Sequence, residues 1–322
     1  MGRALRGIEV STFPKADTQP LVVSIVINHR GLDQTRVCVD SLLAMDYPNH
    51  SIVIVDSGSG SAEVDSLRGA FGDAAEIIDA QRNLGYGGGA NLGLEWSRRV
   101  GATYAWVLNN DTVVDSHAVF ELVKAMEREA GYGILSPQID APVGPESPFG
   151  IWYAGGTASL MRARAKHQVV PATSSAAVVP TGFITGCAMF LRLEAIAETG
   201  LFWEPLFLYW EDVDLCFRMS RAGWGLGVVP AARVVHFMHG SVESKVVRYY
   251  SARNAILVAH RHLHGRGAVA ASFWVVAKVV RRGAMSLLKR DRPLPIAEAR
   301  GLAAGLAVTL GLCRLGHQTD EP

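Results

Sequence analysis

Four stretches of the chain place reactive side chains close together. Asn109-Asn110-Asp111 directly follows an apolar run, Thr103 to Leu108. A carboxylate there can hold a hard divalent cation, which in turn clamps a diphosphate. The plainer use is an Asx-turn or a cap for the next helix, with Asp115 as the competing cap. Glu211-Asp212-Val213-Asp214 follows Phe207-Leu208-Tyr209-Trp210, three acids beside three aromatics. Apolar surroundings and neighbouring like charges raise a carboxylate pKa and suit it to general-base work. Acids in a first helical turn also simply favour the macrodipole. His236 and His239 follow a strand-like Gly227 to Val235. Their spacing suits a metal pair poorly on a strand, so one of them reaches a cation from the far side or serves the fold. Gly85-Tyr86-Gly87-Gly88-Gly89-Ala90 has the form of a dinucleotide fingerprint. It fails on position, because the first strand ends in Asn28-His29-Arg30 instead. No G-x-x-x-x-G-K-[ST] and no G-x-S-x-G occurs, which excludes a P-loop enzyme and a nucleophile elbow.

These residues need elements to hold them. Leu21 to Ile27 and Ser51 to Val55 are β-branched runs, the mark of strands buried on both faces. A weaker strand is expected around Ala75 to Ile78, and a fourth strand at Thr103 to Leu108. The intervening helices are a stripe of Val37, Leu42, Leu43 and Met45 ended by Tyr47-Pro48, a segment ending at Phe71, and one from Gly85 to about Arg99. Strands spaced by such helices predict a parallel sheet with right-handed crossovers. Ligands bind such sheets at the carboxyl ends of the strands, where Asn28, Asp56, Asn83 and Asp111 all stand. Residues 141–180 read as loops and extra strands around Trp152 to Leu160. Gly182 to Arg192 reads as a buried strand, Glu194 to Thr199 as a short helix, and residues 243–317 as mostly helical.

Composition bounds the rest. The 322 residues are 49% apolar and 19% charged, which excludes a disordered or fibrous chain. The mean hydropathy of +0.18 is high for a freely soluble protein. The net charge of +1 excludes nucleic acid as a bulk electrostatic partner. It hides an asymmetry: from Arg233 to His317 there are fourteen Lys/Arg against three Asp/Glu, while the first 232 residues carry seventeen against twenty-five. A basic, apolar C-terminal third points to an anionic neighbour such as a membrane face, or to a solvated helical surface. Cys38, Cys187, Cys216 and Cys313 form no C-x-x-C pair and read as buried thiols of a reducing compartment. The N-terminus has no apolar h-region, and Arg6 stands where a myristoylation signal needs Ser or Thr. Ala268 to Ala277 and Leu302 to Cys313 are too short to span a bilayer. The expected location is cytoplasmic or peripheral on the inner face of the plasma membrane. Homo-oligomer formation is left open.

Seven stretches taken together resemble the inverting family 2 glycosyltransferases of GT-A fold, in particular their rhamnosyltransferase-like branch. They are VVSIVINHRG (22–31), SIVIVDSGSGS (51–61), RNLGYGGGANLGL (82–94), WVLNNDT (106–112), TGCAMFLR (185–192), GLFWEPLFLYWEDVDLCFRMSRAGWGLGVVPAARVVHFMHG (200–240) and YYSARN (249–254). The resemblance implies a Rossmann-like, mostly parallel central sheet with flanking helices over residues 21–242, with a nucleotide half (21–140) and an acceptor half (141–242). A tail (1–20) precedes it and a basic helical extension (243–322) follows. It implies roles as well. Asp56 would meet the nucleobase. Asn28, Arg82, Asn83, Gly85, Asn91 and Asn110 would line the nucleotide. Asp111 and His236 would hold Mg²⁺ or Mn²⁺. Asp212 would be the general base, with Trp210 and Glu211 as the acceptor wall. The expected partners are a nucleotide-sugar donor, dTDP-rhamnose first, and a glycan, lipid-linked or small-molecule acceptor.

Three departures accompany the resemblance. The D-x-D-type motif here is Asn-Asn-Asp, the loop after the second strand is Asp-Ser-Gly-Ser-Gly-Ser, and no Q-x-x-R-W follows the Glu-Asp pair. The last argues for transfer of a single sugar rather than processive synthesis. A sugar-nucleotide pyrophosphorylase and a non-catalytic carbohydrate-binding protein on the same fold are the competing readings.

Overall fold

The computed structural model describes residues 19–142, 149–170, 177–238, 244–289 and 293–313. The tail at 1–18 and His239 lie outside them. The first half is strands β1 (Val22–Asn28), β2 (His50–Asp56), β3 (Glu76–Asp79) and β4 (Tyr104–Asn109) alternating with helices α1 (Leu32–Leu43), α2 (Ser61–Phe71) and α3 (Gly85–Arg99). β1 pairs in parallel with β2 and β4, and β2 with β3. The period-two pattern splits each strand between two cores. Val22, Val26, Ile52, Ile54, Trp106 and Leu108 face one, and Val23, Ile25, Val53, Val55, Ala105 and Val107 the other. In α1 the buried face is Thr35, Cys38, Val39 and Leu42, while Val37 and Leu43 point to water. The expected stripe was therefore rotated, because a threonine and a cysteine replace aliphatic side chains against β1.

α3 lies close to the sheet because it carries glycines there. A Cβ on Gly93 would stand 2.3 Å from the Ile25 side chain. The second half adds β5 (Thr112–Val114), α4 (Ala118–Arg128), β6 (Tyr132–Pro142), β7 (Phe149–Tyr153), β8 (Gly156–Ser159), β9 (Arg164–His167), β10 (Val179–Pro180), β11 (Ala188–Arg192), α5 (Leu193–Thr199), α6 (Glu211–Arg221) and β12 (Gly225–His236). Among the described residues the main sheet runs β10-β12-β6-β11-β4-β1-β2-β3, with β5 on β12 and β7 on β6. β11 is antiparallel to β4, and β12 is parallel to β6. Only the last five residues of the strand expected over 182–192 form one. Upstream, side chains take backbone groups that a ladder would use. Tyr153 Oη donates to Phe183 O at 2.6 Å, and Tyr86 Oη donates to Gly186 O. This frees Gly186 to line a cavity.

The C-terminal residues form α7 (Ser244–His262), α8 (Arg266–Lys289) and α9 (Pro293–Thr309). α7 is no appendage: Leu257 and Val258 belong to the same buried cluster as Val213, Leu215 and Cys216 of α6. α8 has two faces. Ala268, Ala271, Val275 and Val279 are buried, while Val269, Phe273, Trp274 and Val280 are exposed. No helix among the described residues is long and apolar enough to cross a membrane. Cys38, Cys187 and Cys216 are buried as expected, but Cys313 is exposed, beyond the packed end of α9.

Candidate active site

A cavity of about 950 Å³ opens above the carboxyl ends of β1, β2 and β4 and continues to α7 and α8. Its wall near β1 and β2 is His29, Arg30, Ser57, Asn83 and Gly85. His29 Nδ1 and Ser57 O are 2.8 Å apart, Asn83 Oδ1 accepts from Gly85 N (2.9 Å), and Leu84 N donates to Ser57 Oγ (2.9 Å). These bonds join the loops after β1 and β2 to the start of α3. Arg30 adopts φ +53°, a conformation costly outside glycine. It is braced by its own N–H donating to Ser59 Oγ (2.7 Å).

Asp111 and His236 meet in the same cavity, Oδ1 to Nε2 at 3.1 Å. β12 brings the histidine there by pairing antiparallel with β5, and Phe237 N donates to Asp111 O at 2.9 Å. Both side chains are largely buried. His236 Nδ1 is buried with no hydrogen-bond partner among the described residues. A hard carboxylate oxygen beside an imidazole nitrogen fits Mg²⁺ or Mn²⁺. No third His, Cys, Asp or Glu completes a cluster among the described residues, so such an ion would take its other positions from phosphate oxygens and water.

The opposite wall is the loop before α6. Phe207, Tyr209 and Trp210 all have positive φ (65°, 67° and 74°). Three strained residues in four persist only where their surroundings over-determine them. Two devices do so here. The fully buried Asn254 of α7 sets its Nδ2 within 2.7–2.8 Å of the carbonyls of Leu206, Leu208 and Tyr209. Gly85 lies against Phe207, where a Cβ would approach the carbonyl oxygen to 2.1 Å, and Tyr86 N donates to that oxygen at 2.8 Å. The strain delivers Trp210, Glu211 and Asp212 into the cavity.

Asp212 accepts hydrogen bonds from Gly186 N (Oδ2, 3.0 Å) and Val213 N (Oδ1, 2.7 Å). Burial raises its pKa to about 6 against the pull of those backbone donors. Glu211 is pushed further up, by burial first and by the Asp212 charge second. Its Oε2 is buried without a partner. The two neighbouring carboxyls are thus both pushed toward the protonated form, and Asp212 is poised to accept a proton near neutrality. Asp214, the third acid of the run, points away. Burial would raise its pKa, but hydrogen bonds and charge from His262 (2.8 Å), Arg218 (2.9 Å) and Arg261 (3.2 Å) bring it below the ordinary value. It ties α6 to α7.

Asn83, Gly85, Asn110, Asp111, Trp210, Glu211, Asp212 and His236 therefore line one cavity. Asn28, Asp56, Arg82 and Asn91, expected at the nucleotide, stand outside the lining. Asn28 is fully buried, donating to Asp56 Oδ2 (2.7 Å) and Glu63 Oε1 (2.8 Å) and accepting from Thr35 Oγ1 (2.7 Å). Asp56 spends its other oxygen on Ser59 N (2.9 Å). The two frame the loops that present His29, Arg30 and Ser57. Arg82 is exposed. Asn91 bonds Phe202 N, Phe202 O and Glu204 Oε1 (2.9–3.0 Å), pinning the segment ahead of the acid loop. His29 and Ser57 were missed although each directly follows one of those framing residues. Asn254 was missed as well, its signal being the YYSARN stretch.

Known proteins place this architecture. The family model described as Glycosyl transferase family 2 matches residues 23–177, and that of Glycosyl transferase family group 2 matches residues 106–287. An N-acetylglucosaminyl-diphospho-decaprenol L-rhamnosyltransferase of Mycobacterium tuberculosis is 27% identical over 76% of this chain and 86% of its own length. The galactofuranosyltransferase GlfT1 of the same organism is 26% identical over 67% and 69%. In fold, the chain superposes on GalNAc-T7, solved with UDP, GalNAc and Mn²⁺, with a TM-score of 0.60 at 16% identity over 76% of this chain and 53% of that one. It superposes on Staphylococcus aureus TarS with a TM-score of 0.51 at 12% identity, over 83% and 72%. The chain belongs to the family 2 glycosyltransferases, in their rhamnosyltransferase-like branch, and is an enzyme of GT-A fold that transfers a sugar from a nucleotide donor.

Proposed function

We propose that this enzyme moves one sugar, with dTDP-rhamnose the first donor to test, onto a hydroxyl of a lipid-linked or other glycan acceptor with inversion at the anomeric carbon. The observation that carries this reading is the occupancy of one cavity by two unlike devices: the Asp111–His236 donor pair and the Asp212 carboxylate. In the reaction the acceptor oxygen attacks the anomeric carbon and Asp212 takes its proton. The bond from that carbon to the diphosphate oxygen breaks, and the nucleoside diphosphate leaves from the opposite face. A Mg²⁺ or Mn²⁺ ion held by Asp111 and His236 would neutralise charge on the departing diphosphate. Asn83, Ser57 and His29 would bind the nucleoside end. The donor sugar rests on the branch and on the L-rhamnosyltransferase relative.

The test is thermal unfolding with a panel of nucleoside diphosphates and their sugars, with and without Mn²⁺. The expected result is an upward shift of Tm for one nucleobase, enlarged by the metal. At a ligand concentration about 100 times Kd the stabilisation is about 2.7 kcal/mol. No shift with any nucleotide would overturn the donor-site assignment.

The exposed face of α8, with Phe273 and Trp274 at its centre and Arg266 and Arg281 beside it, supports peripheral contact with an anionic membrane. The enzyme should co-sediment with phosphatidylserine vesicles at low salt and with phosphatidylcholine vesicles much less. Phe273→Glu should release it. Equal recovery on both vesicles, or none on either, would remove the membrane reading.

A further inference from the structure

The cavity lining also holds a cluster of cations. Arg164 comes from β9, Arg248 from α7, and Lys278 and Arg282 from α8, all of them lining residues. Among the described residues Glu298 of α9 is the one carboxylate beside them, and it pairs with Arg282. Among the described residues neither Arg164 nor Arg248 has a carboxylate partner. Lys278 Nζ reaches only the Ala163 carbonyl, at 3.5 Å. Among the described residues, four cations and one carboxylate sum to a charge of +3 along this part of the lining. Lys278 feels the cost: burial and the charges of Arg282, Arg164 and Arg248 together lower its ammonium pKa. Like charges gathered at a cavity wall are stabilised by a shared anion, and phosphate with its several acceptor oxygens suits such a group.

The placement says which anion. Trp210 packs against the cluster of Ala163, Ala255, Ile256, Val275 and Val279, and the cations stand on β9, α7 and α8, whereas Asp111 and His236 stand at β5 and β12. Trp210, two residues before Asp212, joins this apolar cluster to the loop that carries the proposed base. α8 supplies two of the cations and shows its apolar residues Val269, Phe273 and Val280 on the other face. Resting on the glycosyl-transfer reading above, we infer that Arg164, Arg248, Lys278 and Arg282 form a subsite for the phosphate or diphosphate of a phosphorylated acceptor, distinct from the place where the donor's diphosphate binds. The acceptor class is then a sugar linked through phosphate, and the anion fixes how far its hydroxyl reaches toward Asp212.

The experiment titrates two probes, inorganic pyrophosphate and farnesyl diphosphate, into enzyme already saturated with dTDP and Mn²⁺, and repeats both on nucleotide-free enzyme. Both probes should bind, with affinity falling as salt rises. The double variant Arg248→Gln/Lys278→Gln should lose about tenfold or more, as expected for charge-assisted hydrogen bonds, while its affinity for dTDP stays unchanged. Lys278→Arg should retain probe binding, which separates loss of charge from loss of fold. Tighter binding of farnesyl diphosphate assigns a lipid-linked acceptor, and equal binding a water-soluble sugar phosphate. Each keeps the subsite. Failure of both probes on wild-type enzyme, or a double variant that loses dTDP instead, would overturn it. Failure of dTDP alone, with the probes still bound, strikes the donor assignment and leaves the subsite standing.

Discussion

Asp212→Asn is expected to bind donor normally and to lose turnover by about 10²- to 10⁴-fold, the range for removing a general base. The substitution keeps shape and burial. It cannot keep both hydrogen bonds, because Gly186 N and Val213 N each donate to a different carboxylate oxygen and an amide offers only one acceptor. A local cost of about 1–3 kcal/mol follows, small enough for the fold to survive and readable as a lower Tm. The loss should fall on kcat, since the proton moves only in the transition state.

The pH profile supplies an independent sign. The base works deprotonated, and burial raises Asp212 to about 6. kcat/KM should therefore be flat above that value and fall as pH drops through it. The other titratable groups that face Asp212 are Glu211, Tyr86, Tyr153 and Cys216. Burial raises each of them; the tyrosines and the cysteine, which start far above this window, add no limb of their own, and Glu211 is separated by substitution. In Asp212→Asn the acid limb should vanish from the residual activity. In Glu211→Gln, which leaves Asp212 in place, it should persist. A wild-type profile with no limb between pH 5 and 7, or an Asp212→Asn enzyme within tenfold of wild type, would remove the residue from the base role.

Much of this arrangement is legible in the chain, and the reason is physical. Strands buried on both faces must be β-branched runs, so β1 and β2 announce themselves, and the residues at their carboxyl ends face the ligand side of a parallel sheet. What an element does at its end is harder to read. Asn28 and Asp56 stand where ligands bind, yet they turn inward to bond each other, and their successors His29 and Ser57 take the cavity. The alternation of a strand tells its two faces apart, but not which of two adjacent polar residues a loop will turn outward. Long-range partners were invisible for a second reason. Asn254 holds a loop more than forty residues upstream, and the cation cluster gathers β9, α7 and α8. No local spacing encodes such meetings. The strain of Phe207, Tyr209 and Trp210 is equally silent, because aromatic residues ordinarily avoid a positive φ and only the tertiary clamp imposes it.

Asp111→Ala is expected to lower kcat by about 10²- to 10³-fold, as for the removal of one preorganised stabiliser of transition-state charge. It should also abolish the part of the nucleotide-induced Tm shift that depends on Mn²⁺. The smaller, metal-independent shift should remain, because the wall of Ser57, Asn83 and Gly85 does not involve Asp111. The backbone tie to β12, Asp111 O accepting from Phe237 N, is kept by every substitution, and the Tm of the ligand-free variant reads the cost of losing the side-chain contact with His236. Asp111→Asn separates charge from shape. Its carbonyl oxygen can still meet His236, as Oδ1 does now at 3.1 Å, so a loss equal to that of the alanine variant would assign the effect to the negative charge. The neighbouring amides make the point sharper. Asn110 already spends its Nδ2 on Thr35 Oγ1 (3.0 Å) and Gly31 O (3.3 Å), holding the loop after β1. Asn109 carries no charge to substitute. Within Asn109-Asn110-Asp111 a single carboxylate must therefore do what paired acids do elsewhere, and an Asp111→Asn enzyme with an undiminished Mn²⁺-dependent shift would show that the cation is held by something other than this pair.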